Sequence, residues 1–154
     1  MNVSFKTATL ADAEELTRMS MDFYSEIPTR KDRAVNRIAA TVHFYKDNSN
    51  MGEVMLIECD HNLAGYAIAF RFWSDEYGGL MLGLDCLYVE KKFRHKGIAR
   101  KFLNSYITRE KSNPHVTGIE IESYEGNPAA ARLAQSVGLA PKHSSQYILL
   151  FKQH

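Results

Sequence analysis

The stretch from Leu80 to Ile107, LMLGLDCLYVEKKFRHKGIARKFLNSYI, constrains the fold more than any other part of the chain. Leu80–Val89 is apolar and partly β-branched, broken only by Gly83 and Asp85, which suits a largely buried strand. The chain then turns charged through Glu90, Lys91, Lys92, Arg94, His95 and Lys96, and reaches Gly97. Beyond it the apolar residues Ile98, Phe102, Leu103, Tyr106 and Ile107 recur at helical spacing between Arg100, Lys101 and Asn104. A strand, a basic turn, a glycine and a helix start thus arrive as one block.

The first turn of a helix carries N–H groups with no partner inside the helix, at the positive end of its dipole. Such a turn can cradle a phosphate. Gly97 and Ala99 add little bulk, so an anion can come close to the backbone, and Arg94 and Lys96 add positive charge beside it. A basic turn capped by glycine and simply solvated is the alternative for these six residues taken alone.

A length of 154 residues fits one domain, 1–154, with room for a full core. With 45% apolar and 24% charged residues the composition is that of a globular protein and excludes a disordered chain. The net charge of +1 gives no overall attraction to nucleic acid or anionic lipid, so neither is expected as a partner. The local basic cluster at 91–96 suits a phosphorylated small molecule instead. Cys59 and Cys86 lie inside apolar strand patterns and read as buried, reduced thiols of a cytoplasmic protein. The histidines show no ligand spacing, so no metal is expected, and no apolar run approaches a membrane span.

Val3, Phe5 and Thr7 alternate as in a first strand. Asp12 can cap a helix over 13–25 with Leu16, Met19 and Phe23 on one face, ended by Ile27-Pro28. Asp32 precedes a second helical pattern, Val35, Ile38, Ala39, Val42 and Tyr45, running to about Lys46. A hairpin follows, with arms around Val54–Cys59 and Leu63–Trp73, turned by Asp60-His61-Asn62. An aromatic loop, Trp73 to Gly79, leads into the central strand; its Trp73 and Tyr77 would permit a homodimer. After the helix from Ile98, Val116–Ile121 reads as a strand and Ala129–Val137 as a helix opened by Asn127-Pro128 and ended by Gly138. Tyr147–Phe151 reads as a last strand. The expected class is α/β, in the order β-α-α-β-β-β-α-β-α-β, with a mixed sheet flanked by helices.

The hexapeptide Arg94-His95-Lys96-Gly97-Ile98-Ala99, entered from an apolar strand, resembles motif A of the GNAT-type N-acetyltransferases, Arg/Gln-x-x-Gly-x-Gly/Ala. Asn127, Ala130, Leu133, Ala134, Gly138 and Leu139 resemble that family's Asn-x-x-Ala-x-x-Leu-Tyr-x-x-x-Gly-Phe segment, and the order of elements is similar over nearly the whole chain. A narrower similarity, to the small-amine and diamine acetyltransferases, rests on Leu84-Asp85-Cys86-Leu87-Tyr88-Val89. The resemblance implies a GNAT-like fold and acetyl-coenzyme A as cosubstrate. Its pyrophosphate would lie on the loop Arg94–Ala99, and its pantetheine arm would run along Leu87 and Val89 and near Asn127. The acceptor would be a primary amine on a small molecule or an α-amino group of a peptide.

Acetyl transfer to an amine needs a base for the ammonium proton, a donor for the developing oxyanion and a proton for the leaving thiolate. Asp85 is the first candidate base: a carboxylate in an apolar strand, two residues from Leu87 and so on the same face, unless it serves only to accept backbone N–H groups or pair with a lysine. Glu120 and Glu122, near the end of the neighbouring strand, are second candidates. Tyr24, Glu26, Glu76 and Tyr77 are candidates to line the acceptor side. Where the family usually carries a tyrosine as acid this chain has Ala134; Tyr124, at the mouth of the same strand–helix junction, could stand in, or the thiolate could leave through water with no side-chain acid. Ala134 also keeps open a different class of function, a non-catalytic acyl-coenzyme A-binding or regulatory protein.

Overall fold

The computed structural model describes residues 1–28, 30, 37–124 and 126–152. Nine regular elements form in the described residues: β1 (Val3–Thr7), α1 (Ala13–Ser25), α2 (Ile38–Asp47), β2 (Gly52–Cys59), β3 (Asn62–Ser74), β4 (Gly79–Val89), α3 (Ile98–Lys111), β5 (Val116–Ile121) and α4 (Pro128–Ser136). The expected first turn of the second helix, from Asp32 through Val35, lies outside the described residues. The strands form one sheet in the order β1-β2-β3-β4-β5, antiparallel except for the β4–β5 pair, which is parallel. A short turn between β3 and β4 gives the antiparallel pair, and the α3 crossover gives the parallel one.

Each strand alternates, and here both faces are covered. Met55, Ile57, Ala67, Leu82 and Leu84 pack under α3 with Ile98, Phe102, Leu103 and Tyr106. Val54, Leu56, Tyr66, Ile68, Cys86 and Tyr88 face the other way, onto Leu16 and Met19 of α1 and Ile38 and Val42 of α2. Burial on both faces explains why β2 through β4 read as continuous apolar runs rather than half-polar ones.

Two details depart from expectation. Asp12 does not cap α1 with its side chain; it closes a short 3-10 turn, Leu10–Asp12, by accepting from the Thr9 N–H at 2.8 Å. The segment Tyr147–Phe151 is not a strand of the sheet, which has five strands among the described residues. Its Tyr147, Leu149 and Phe151 are 95%, 80% and 94% exposed. A β pattern specifies a strand only where a partner strand takes up its backbone groups, and none does so here among the described residues.

Candidate active site

β4 runs beside β5 only from Leu80 to Leu84, where Leu84 meets Ile121. Past that point β4 continues to Val89, paired with β3 alone. The two parallel strands therefore splay, and the edge of β4 from Asp85 to Val89 is open on one side. A cleft of about 540 Å³ occupies the gap.

One wall of the cleft is the β4–α3 junction. Gly97 has φ 77° and is the N-cap of α3, and His95 has φ 61°. Alternation of left-handed residues turns successive N–H groups toward one point, an arrangement suited to anions. The first internal bond of α3 runs from the Lys101 N–H to the Gly97 carbonyl at 3.0 Å, so the N–H groups of Ile98, Ala99 and Arg100 are left to face outward. Space over Gly97 is clear for 4 Å from where a Cβ would be. His95, Gly97, Ile98 and Ala99 all line the cleft; Lys96 does not, and its ammonium lies 5.6 Å over the Phe93 ring.

Arg94 lines the cleft as well, but its guanidinium is engaged elsewhere. It donates to the Val89 carbonyl at 2.7 Å and grips both carboxylate oxygens of Glu26 at 2.9 Å. Glu26, sequence-read as an acceptor-side residue, is thus the counterion that fastens the end of α1 to the basic turn, and its partner's pKa is raised by that bond. Glu90, at the start of the same turn, is buried; the cost of burial is outweighed by bonds from Arg18 and, at 3.3 Å, Lys92, and its pKa is lowered.

Asp85 is not the buried in-line strand residue its sequence setting implies. Ile68 pairs with Cys86 and Ala69 with Leu84, so Asp85 is the extra residue of a β-bulge. The bulge breaks the alternation: Leu84 and Leu87 both face α3, and Asp85 is re-aimed into the cleft, where solvent reaches it. Desolvation by the cleft walls raises its pKa; Arg30 opposes this and Glu122 adds to it. Tyr24 and Tyr45, from α1 and α2, have pKa values raised mainly by burial and also by the Asp85 charge. Behind the bulge the buried Cys86 thiol is pushed up to about 12, chiefly by burial, and is no nucleophile.

Glu122 and Tyr124 line the cleft opposite Asp85, on the segment leaving β5. Glu120 does not line it; it sits within β5, opposite Gly83 of β4. Asn127 lines the cleft and caps α4, its side-chain oxygen accepting from the Ala130 N–H at 3.2 Å. Ala130 and Leu133 complete the wall, while Ala134 is turned off it. Leu87 and Val89 line the cleft along the open β4 edge. Glu76 and Tyr77 lie in the β3–β4 turn at the far end of the sheet and take no part. Phe23 and Ile27, which the sequence analysis left out of the site, close the α1 side; their i, i+4 spacing just before Pro28 is the signal that was present.

A larger cavity, about 870 Å³, opens at the opposite end of the sheet by the C-terminal end of α3. Four of its charged groups neutralise one another: Arg71 meets Glu53 at 3.5 Å and Glu110 at 3.3 Å, and Arg109 binds Glu53 and, at 2.6 Å, Glu110. Its four central charges are spent on one another, and among its described residues it has no open strand edge or helix N-terminus, so the smaller cleft is the better candidate for chemistry. No group of three metal-ligating side chains occurs among the described residues, and no described helix is long and apolar enough to cross a membrane.

The fold is shared with solved structures. A "possible acetyltransferase" of Clostridium difficile 630 matches with a TM-score of 0.81 at 15% identity, over 99% of this chain and 100% of that one. The ribosomal-protein-alanine N-acetyltransferase of Brucella melitensis biovar Abortus 2308 matches at 0.77 and 18%, over 98% and 100%. A transcriptional regulator of Bacillus halodurans C-125 matches at 0.77 and 16%, over 97% and 100%. At such identities these likenesses show the fold. A search of the curated proteins finds no match. The family model for the acetyltransferase (GNAT) family aligns with residues 13–139, a span that holds the splayed strands, the anion turn and the Asn127 cap, and the chain belongs to that family.

Proposed function

We propose that this protein is an acetyl-coenzyme A-dependent N-acetyltransferase acting on a primary amine of a small molecule or on an α-amino group. The observation that carries the reading is the alignment, along one cleft, of an outward-facing helix N-terminus, an open strand edge and a carboxylate on a bulge. The turn His95–Arg100 has the donors a pyrophosphate needs, and the β4 edge offers the Leu87 N–H and C=O and the Val89 N–H to an amide-bearing pantetheine arm, the Val89 C=O being taken by Arg94. When bound, the cosubstrate supplies an activated acyl group on a thioester.

The chain's own residues then move protons. An amine arrives mostly as ammonium, since a lysine-like group has a pKa of about 10.4. Asp85, directly or through one water, accepts a proton from it; desolvation strengthens Asp85 as a base. The neutral nitrogen attacks the carbonyl carbon and the C–N bond forms; the C–S bond breaks, the sulfur leaves as thiolate, and the nitrogen sheds its second proton to water as it becomes the amide. Tyr124 stands where it can donate the proton that Ala134 cannot; failing that, water does, because a thiol of pKa about 8.5 is a tolerable leaving group. Glu122 raises the Asp85 pKa and shares the acceptor side.

Incubation of the purified chain with acetyl-coenzyme A and a panel of small amines and peptides, reading free thiol, tests the reading. Amine-dependent thiol release is expected. Tight binding without release would transfer the site to the acyl-coenzyme A-binding regulator, and absence of binding would reject both.

A further inference from the structure

We propose that the larger cavity, at the end of the sheet away from the cleft, is a second binding site, and that it takes a small monocarboxylate with an apolar, ring-sized body. The proposal rests on the fold and on the charges of that cavity, not on the acetyl-transfer reading, so either can fail alone.

The cavity lies where three elements end together. β1 runs out at Thr7 and α2 at Asp47, and α3 brings Arg109 and Glu110 in its last turn. Its volume of about 870 Å³ is that of a small-molecule site, and such sites are mostly apolar with a few convergent polar groups. The apolar part comes from Ala8, Leu10, Tyr45, Val42 and Val54. Leu10 is 45% exposed, so an occupant takes its surface out of water. None of the residues lining this cavity lines the cleft, so the two hollows can be filled independently.

The polar part decides the sign of the ligand. The lining holds three cations, Lys46, Arg71 and Arg109, against two anions, Glu53 and Glu110, which leaves one positive charge in excess. Arg109 is fixed, with its guanidinium 5.0 Å from both the Phe5 and the Tyr106 ring. Arg71 meets its carboxylate partners only at 3.3–3.5 Å, the long end of hydrogen bonding, so its donors are less fully spent. Lys46, in the last turn of α2, is exposed and has no partner among the described residues. The two cations share one wall. The Arg71 backbone N–H bonds the Met51 carbonyl at 2.8 Å and its guanidinium reaches the Ser49 carbonyl at 3.5 Å, which seats Arg71 against the turn that follows Lys46. A guanidinium fork and a lysine ammonium on one wall suit a carboxylate. One negative charge balances the lining, whereas a cation would meet like charge.

Calorimetry of the full chain with naphthylacetate as the probe is expected to show binding. Naphthylethylammonium, with the same rings and the opposite charge, should bind about tenfold more weakly or worse. Lys46→Glu should weaken naphthylacetate by about tenfold or more and remove the preference for the anion. Leu10→Asp should weaken it as well. Both positions are exposed, and melting curves check that each variant is folded. Excess coenzyme A should leave the probe in place. Failure of naphthylacetate to bind at millimolar concentration overturns the proposal. Equal binding of the two probes does so too, since it would mean adsorption to apolar surface such as Tyr147–Phe151. So does undiminished binding in Lys46→Glu, and so does displacement by coenzyme A, which would put the probe in the cleft.

Discussion

Gly97, Asp85 and Tyr106 each carry a separate expectation. At Gly97 the left-handed φ and the clear space above the backbone together admit an anion. Gly97→Glu adds bulk, backbone strain and like charge, and should weaken acetyl-coenzyme A binding by about a hundredfold or more, about 2.8 kcal/mol, by calorimetry on protein shown to be folded. Unchanged affinity would move the pyrophosphate elsewhere. Asp85→Asn should lower turnover by about 10²–10⁴-fold with cosubstrate affinity nearly intact. It should also change stability in a defined direction. The folded state raises the Asp85 pKa and so holds more protons than the unfolded one, and stability falls as pH rises from about 3.9 through the folded value. Removing the charge removes that loss, so Asp85→Asn should melt higher than the parent at neutral pH. A lower melting point would make Asp85 a structural acceptor. Tyr106 is fully buried, and its hydroxyl finds no partner among the described residues. Tyr106→Phe should therefore be neutral or stabilising by up to about 1 kcal/mol in urea unfolding.

The elements were legible where periodicity alone decides them. α1, α3 and the three long strands fall within a few residues of expectation, because two-sided burial of β2–β4 and one-sided burial of α1 and α3 write different periods into the sequence. The bulge was not legible. One extra residue in β4 leaves the composition of the strand unchanged, and only the pairing with Ile68 and Ala69 reveals it. Nor could sequence show that Arg94 is clamped to Glu26, since that bond joins positions 68 apart. Arg94→Ala is accordingly expected to cost about 1 kcal/mol of stability, reduced by the pair's partial exposure, and to affect cosubstrate affinity less than Gly97→Glu does. A loss of affinity equal to that of Gly97→Glu would mean that Arg94 leaves Glu26 for the ligand. At α4 the asparagine was legible as a cap, and Asn127→Ala should cost about 1 kcal/mol, with Asn127→Asp retaining most of it.

Across the whole molecule, the last strand is where local pattern and tertiary structure part. Tyr147–Phe151 has the length and the continuous apolar, aromatic-ended run of a buried strand, but its pairing partner is a property of the assembled sheet and not of the segment. The paired charges at the far end hold the sheet to α3: Glu110 of α3 is 7% exposed and reaches Arg71 of β3. Glu110→Ala leaves Glu53 alone to neutralise both Arg71 and Arg109 and should cost about 1–3 kcal/mol in urea unfolding. The splay of β4 from β5 has a consequence of its own. A sheet that stops pairing at Leu84 is a native state with an unfinished ladder, and a ligand lying along Asp85–Val89 finishes it. Such a ligand binds the folded chain and has nothing to bind in the unfolded one. At a hundred times its dissociation constant it would deepen the folding free energy by about 2.7 kcal/mol. The melting temperature should climb with the logarithm of cosubstrate concentration, and the thermal shift becomes an assay of occupancy that needs no acceptor at all.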